Sequence, residues 1–151
     1  MKRPENLPVR DYLFVGLQLV LFITYWIPVD FMEIELPGWI RMLALVPGIF
    51  GIVLAVVTLY QLKHTLSVFP TPVNKGKLIT GGAFSFSRHP IYTSIILLAF
   101  SFGIFSESEF RLIITILLFI VLYFKSNYEE RLLLLKYPEY SAYKKSTRKF
   151  L

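Results

Sequence analysis

The stretch "IYTSIILLAFSFGIFSESEFRLIITILLFIVLYF", residues 91–124, decides the fold. It contains two apolar runs, roughly 91–105 and 110–124, which are separated only by the polar residues "SESE". A connection this short makes consecutive helices lie side by side and antiparallel. We therefore expect these two runs to form a helical hairpin.

Two longer apolar runs precede the hairpin, at roughly 12–29 and 40–60. Each is close to the ~20 residues that a helix needs to cross a bilayer. The 151-residue chain is 55% hydrophobic, and its mean hydropathy of +0.59 exceeds that of ordinary soluble domains. Together these features predict an all-α integral membrane protein, a single domain over 1–151, with about four transmembrane helices.

The basic residues are unevenly distributed around these runs. If both termini and the 61–90 connection lie on the same side of the membrane, that side holds all of the 16 Lys and Arg residues except two. The two exceptions are Arg41 and Arg111. Basic loops are retained in the cytoplasm. The sequence therefore predicts a multi-pass protein with cytoplasmic N- and C-termini. The net charge of +6 is explained by these flanks, so we expect membrane lipids rather than nucleic acid as partners.

Two segments outside the apolar runs carry structural signals. The connection over 64–83 contains prolines and a Gly81-Gly82 pair, but apolar residues punctuate it, so we expect an ordered loop. After residue 124 the helical pattern continues to about Tyr137, where Pro138 interrupts it. This predicts a cytoplasmic helical extension followed by a basic, tyrosine-rich tail.

The composition excludes several kinds of site. Cysteine is absent, which rules out disulfides, thiolate metal sites and a cysteine nucleophile. The two histidines, His64 and His89, are far apart in the sequence. We therefore predict no metal centre.

The first polar cluster, Arg88-His89-Pro90 with Tyr92, stands at the start of the third apolar run. Proline is well placed in the first turn of a helix, where its missing N–H costs nothing. Helix N-termini carry unpaired N–H groups and a partial positive charge, and Arg88 adds a full charge. This cluster predicts an anion site.

The second cluster, Glu129-Glu130, follows the fourth run and should emerge beside the first. Adjacent helical positions point about 100° apart, so the pair cannot act as one chelate. One glutamate could face a ligand while the other holds Arg88, Arg131 or a ribose hydroxyl. A ligand with both an ammonium and an acidic group would suit the two clusters. The alternative is that arginine and glutamates only pair with each other.

These residues lie in a recognisable order. "GGAFSFSRHPIYTS" (81–94) followed by "NYEERLLLLKYPEYSAYKK" (127–145) resembles the isoprenylcysteine carboxyl methyltransferase and phospholipid methyltransferase superfamily. The shared pattern is Arg-His-Pro-x-Tyr, then Glu-Glu, then Tyr-x-x-Tyr. The resemblance covers roughly residues 68–150 and is carried by small bacterial members, which implies the bacterial inner membrane.

The resemblance implies a membrane-embedded transferase that uses S-adenosyl-L-methionine and methylates a lipid or other hydrophobic acceptor. The cofactor-binding half would be about 68–151. Among its residues, Arg88, Tyr92 and Glu130 would be catalytic. The positions implied as cofactor-binding are Gly82, Arg88, His89, Pro90, Tyr92, Glu129 and Glu130.

Two other functions fit the same sequence. A non-enzymatic membrane scaffold or binding protein would share the fold. A small transporter or proton relay would place charge within its apolar runs, and these runs carry almost none. Amine, carboxylate, thiol and hydroxyl acceptors all remain open, as does the oligomeric state.

Overall fold

The computed structural model describes residues 7–29, 35–63, 67–72 and 77–151. These residues form helices and connecting segments, and no strand occurs among them. His64 and residues 73–76 of the long connection lie outside the described ranges. The helices are α1 (Val9–Tyr25), α2 (Gly38–Leu62), α3 (Ala83–Phe86), α4 (Pro90–Phe105), α5 (Glu109–Lys136) and α6 (Tyr140–Ser146).

The predicted hairpin is confirmed as the antiparallel pair α4 and α5. Pro90 stands at the first position of α4, where its fixed φ suits a helix start. Ser108 caps α5 and accepts a hydrogen bond from the Arg111 N–H at 3.4 Å. The 28 residues of α5 rise about 42 Å. The helix therefore continues beyond the apolar run to Lys136, close to the predicted end at about Tyr137.

The first apolar run is less helical than predicted. The run extends over 12–29, but α1 ends at Tyr25 and Trp26 caps it. Pro28 explains the difference, because it lacks an N–H and its ring clashes with the preceding turn. The hydrophobic run therefore predicted the end of α1 about four residues too late.

The other helices pack around the hairpin. α2 lies against α4, and α1 lies against α5. A Cβ added at Gly48 would come within 3.0 Å of Ser101, and one at Gly51 within 3.2 Å of Leu97. The small residues of α2 thus let its backbone approach α4 closely, as in helix pairs within membranes.

Length and composition qualify one described helix, α2, as a membrane span; α4 is a shorter apolar helix. The ends of the bundle differ in charge. At one end Arg41 lies 3.5 Å from Glu107, and Arg111 lies over the Phe102 ring. The basic residues of α6 and the C-terminal tail lie at the opposite end, close to the start of α4.

Candidate functional site

The two polar clusters meet at the end of the hairpin away from the "SESE" turn. The Arg88 Nε donates to Glu130 Oε1 at 2.9 Å, and His89 Nε2 lies 3.2 Å from the same oxygen. The Tyr92 hydroxyl donates to Glu129 Oε2 at 2.9 Å. The structure therefore brings two groups of residues together, Arg88, His89 and Tyr92 in one and Glu129 and Glu130 in the other. The two groups lie about 40 positions apart in the sequence.

Glu130 is the buried centre of this cluster. Its side chain is 1% exposed, and its second oxygen lies 2.9 Å from the Lys144 Nζ. Burial alone would raise the pKa of Glu130, but hydrogen bonds from His89, Lys144 and Arg88 hold it well below its usual range. Glu130 is therefore a fixed anion that ties α4 and α6 to α5.

Glu129 occupies a different environment. Its side chain is 26% exposed and its Oε2 lies 3.7 Å from His89 Nδ1. The His89 and Tyr92 rings stack in parallel, with centroids 5.3 Å apart. Because the two glutamates point about 100° apart, Glu129 reaches the cleft described below while Glu130 points into the protein.

The chain end closes over the start of α4. We call residues 144–150 the C-terminal strap. The Arg88 N–H donates to Arg148 O at 2.9 Å, and the His89 N–H donates to Lys149 O at 3.2 Å. The Arg88 side chain donates to Lys144 O at 3.0 Å and to Thr147 O. The donors expected to bind an anion thus bind strap carbonyls.

A cleft of about 160 Å³ lies beside these groups. Arg88, His89 and Glu129 supply its polar wall. Tyr143 closes one edge, and its hydroxyl donates to Phe84 O at 2.5 Å. Burial raises the pKa of Tyr143 to about 12, so the phenol remains a neutral donor. The other lining residues are mainly apolar or aromatic: Leu62, Ser67, Phe69, Pro70, Thr71, Pro72, Lys77, Leu78, Ile79, Phe84, Leu133, Tyr137 and Tyr140.

Four predicted residues lie outside the cleft lining. One is Tyr92, whose hydroxyl donates to the lining residue Glu129. Pro90 is buried at the start of α4, and Glu130 lies behind the polar wall. Gly82 has φ +63, and a Cβ there would come within 1.7 Å of Gln61 Nε2. The Gln61 side chain also accepts from the Ala83 N–H at 3.1 Å. Gly82 thus permits close contact between α2 and α3, which is a structural role in this arrangement.

The sequence interpretation missed a buried polar group on the far side of Tyr92. Lys125 Nζ donates to Gln18 Oε1 at 2.7 Å and to Val68 O at 3.0 Å. It also lies 5.4 Å from the centroid of the Tyr92 ring. Asp11 is fully buried on α1. The buried ammonium group of Lys125 therefore contacts the Tyr92 ring and joins α5 to α1 and to the 67–72 segment.

One signal could have revealed this group. Asp11, Gln18 and Tyr25 recur every seven residues on α1 and are all buried. Positions seven apart lie on nearly the same helix face. Polar residues at that spacing in an apolar run indicate an inward-facing seam.

Comparison with known proteins identifies the family without identifying an activity. No curated protein matches the chain. The sequence profile described as "Protein of unknown function (DUF1295)" matches residues 3–147, and the chain therefore belongs to that family.

Proposed function

We propose that the protein is a membrane-embedded methyltransferase that binds S-adenosyl-L-methionine in the cleft and methylates a hydrophobic, lipid-like acceptor. The observation that supports this proposal most strongly is the polar wall of the cleft. Here Arg88 and His89, which directly precede α4, and Glu129 of α5 converge onto one largely apolar and aromatic pocket. These are the positions on which the methyltransferase resemblance rests.

The chemistry of the lining suits this cofactor. The Glu129 carboxylate would take the ammonium group or the ribose hydroxyls, since it is the exposed member of the glutamate pair. Arg88 and His89 would face the carboxylate. Rings such as Tyr137 and Phe69 offer flat apolar surfaces for adenine.

The size of the cleft adds a requirement. Its volume of about 160 Å³ is below the ~300–1,000 Å³ of typical small-molecule pockets. Binding of the whole cofactor therefore requires the cleft to widen. The C-terminal strap is the segment whose displacement would also release donors of Arg88.

When bound, S-adenosylmethionine supplies a methyl group activated by its sulfonium. The chain's residues would align the reactants and exclude water, which can provide much of the rate enhancement of a displacement. A carboxylate acceptor needs no base. For an amine acceptor, Glu129 could receive the proton, whereas Glu130 is held ionised by Arg88, Lys144 and a hydrogen bond with His89.

The outer surface supports a location in the bilayer. Large apolar side chains of α1, α2 and α5 are exposed along the length of these helices. Trp26 and Trp39, each 68% exposed, lie at the end remote from the cleft, where tryptophan suits a membrane interface. We propose that α1, α2, α4 and α5 all cross the membrane, with both termini on the cytoplasmic side.

A scaffold or binding role is the second candidate. The observation in its favour is that Arg88 donates to Glu130 and to two carbonyls of the strap. This is the arrangement expected if the motif served only to hold the C-terminal segment. Under this hypothesis the cleft has no cofactor.

Calorimetric titration of detergent-purified protein with S-adenosylhomocysteine separates the two. We expect wild-type protein to bind, and Glu129→Gln to bind about 10–100-fold more weakly, because a charge-assisted hydrogen bond is lost. Glu139→Gln, which replaces an exposed carboxylate at the N-cap of α6, is the control. A folded wild-type protein without binding would overturn the methyltransferase proposal. Equal affinity in Glu129→Gln would overturn the role of Glu129.

A further inference from the structure

A second concave surface lies between α1 and α5, outside the cleft. This groove, the α1–α5 groove, has a volume of about 480 Å³ and shares no lining residue with the cleft. Its lining is mostly apolar or aromatic, with polar groups near one end. The residues are Arg10, Leu13, Phe14, Leu17, Phe124, Asn127, Tyr128 and Arg131.

The two helices give the groove a polarity along its length. Arg10 and Leu17 are seven residues apart on α1, as are Phe124 and Arg131 on α5. Seven residues correspond to about 10 Å, or two helical turns. Because α1 and α5 both pass through the groove and run in opposite directions, both arginines lie at one end and both apolar residues at the other.

The arginines are available for a ligand. Both are exposed, and no carboxylate of the described residues forms an ion pair with either one. Asn127 and Tyr128 lie between the arginines and the apolar end. Such a groove offers two cations at one end and apolar surface at the other. Between them, the Asn127 Oδ1 already accepts a hydrogen bond from Lys149 Nζ.

We propose that the α1–α5 groove binds one anionic phospholipid, with its phosphate between Arg10 and Arg131. An acyl chain would lie along Leu17 and Phe124, since burying its methylene groups is favourable. A zwitterionic lipid would bring an ammonium group towards two guanidinium groups, which disfavours it. The proposal rests on the membrane location proposed above but does not depend on methyl transfer.

Native mass spectrometry of detergent-purified protein with phosphatidylglycerol or phosphatidylcholine tests the site. We expect one phosphatidylglycerol to be retained in preference to phosphatidylcholine. Each arginine near anionic lipid contributes about fivefold, so the double variant Arg10→Gln, Arg131→Gln should lose about 25-fold in affinity. The matched control, Lys145→Gln with Arg148→Gln, removes two exposed charges at the same end of the bundle.

Several results would overturn the proposal: equal retention of the two lipids, equal loss in the control, or unchanged affinity in the double variant. Glycerol 3-phosphate serves as a probe of the headgroup alone. Displacement of the lipid by millimolar glycerol 3-phosphate would show a phosphate site without lipid specificity. If circular dichroism shows that the double variant is unfolded, Arg131→Gln alone is tested in its place. Its lipid affinity should fall about fivefold. Flotation with vesicles tests the membrane location separately.

Discussion

Replacing Glu130 by glutamine removes the anion at the centre of the site while preserving the size of the side chain. The carboxylate is 1% exposed and lies 2.9 Å from the Arg88 Nε, whose side chain is 9% exposed. It also lies 2.9 Å from Lys144 Nζ, whose side chain is 43% exposed. The substitution therefore leaves a nearly buried guanidinium without its counter-charge.

The magnitude follows from these contacts. Removing one partner of a buried ion pair costs about 3–5 kcal/mol. The glutamine carbonyl can still accept one hydrogen bond, which restores about 1 kcal/mol, and the exposed Lys144 contributes about 0–1 kcal/mol. We expect Glu130→Gln to lose about 2–5 kcal/mol of stability, or a Tm decrease on the order of 10 °C for a chain of this size.

The assay is thermal unfolding in detergent, followed by circular dichroism, with Glu139→Gln as the exposed control. The pKa of Glu130 is lowered from 4.5, so its stabilising contribution is present above pH 4.5 and is lost as the pH falls further. The difference between wild type and Glu130→Gln should therefore be constant from about pH 8 to pH 5 and shrink below pH 4.5. A variant that unfolds within 2 °C of wild type at pH 7 would refute this account of the Arg88–Glu130–Lys144 cluster.

Three further substitutions test other parts of the site. Tyr92→Phe removes the hydroxyl that binds Glu129 but keeps the ring, so titration should show S-adenosylhomocysteine affinity reduced about fivefold; unchanged affinity would contradict the proposed support of Glu129. Gly82→Ala should lower stability by about 1–3 kcal/mol because of its positive φ and the contact with Gln61, whereas Gly81→Ala, with nothing within 4 Å of its Cβ position, should not; equal Tm values would disprove the strain. Lys125→Met should lower the stability by about 2 kcal/mol, because it leaves Gln18 Oε1 unpaired. It should also increase proteolysis of the 67–72 segment, because the Val68 carbonyl loses its partner. Unchanged proteolysis of that segment would argue against the role of Lys125.

The sequence predicted the hairpin because two apolar runs with a short polar turn have few alternatives. It also predicted that the Arg88 cluster and the Glu129-Glu130 cluster would lie close together, since both flank the open end of that hairpin. The sequence left open which glutamate binds Arg88, and the structure assigns this role to Glu130. The hydrophobic run alone does not predict where α1 ends. The prediction also needs Pro28, which ends the helix before the run does. Periodicity gives the existence of a helix more securely than its last residue.

The buried polar seam was less predictable. Lys125 looked like a flanking charge after an apolar run, which is typical of membrane helices. Its partners are a side chain of α1 and a backbone carbonyl of the 67–72 segment, Gln18 and Val68. The seven-residue spacing of Asp11, Gln18 and Tyr25 indicates an inward-facing seam on α1. Which residue of α5 meets that seam depends on how the two helices pack.

The strap links the stability of the fold to the chemistry of the cleft. A ligand carboxylate at the start of α4 would compete for donors of Arg88. The backbone N–H and Nη1 of Arg88 already bind carbonyls of the strap, and its Nε binds Glu130. Two acceptors cannot occupy one donor with good geometry. If the ligand takes the backbone N–H or the Nη1 donors of Arg88, the strap must move, and the binding affinity must include the cost of breaking these hydrogen bonds. If the strap stays, the ligand is held by Glu129 and His89. Arg88→Lys, which keeps the charge but not the forked donors, distinguishes these modes because only the first loses affinity through the missing fork.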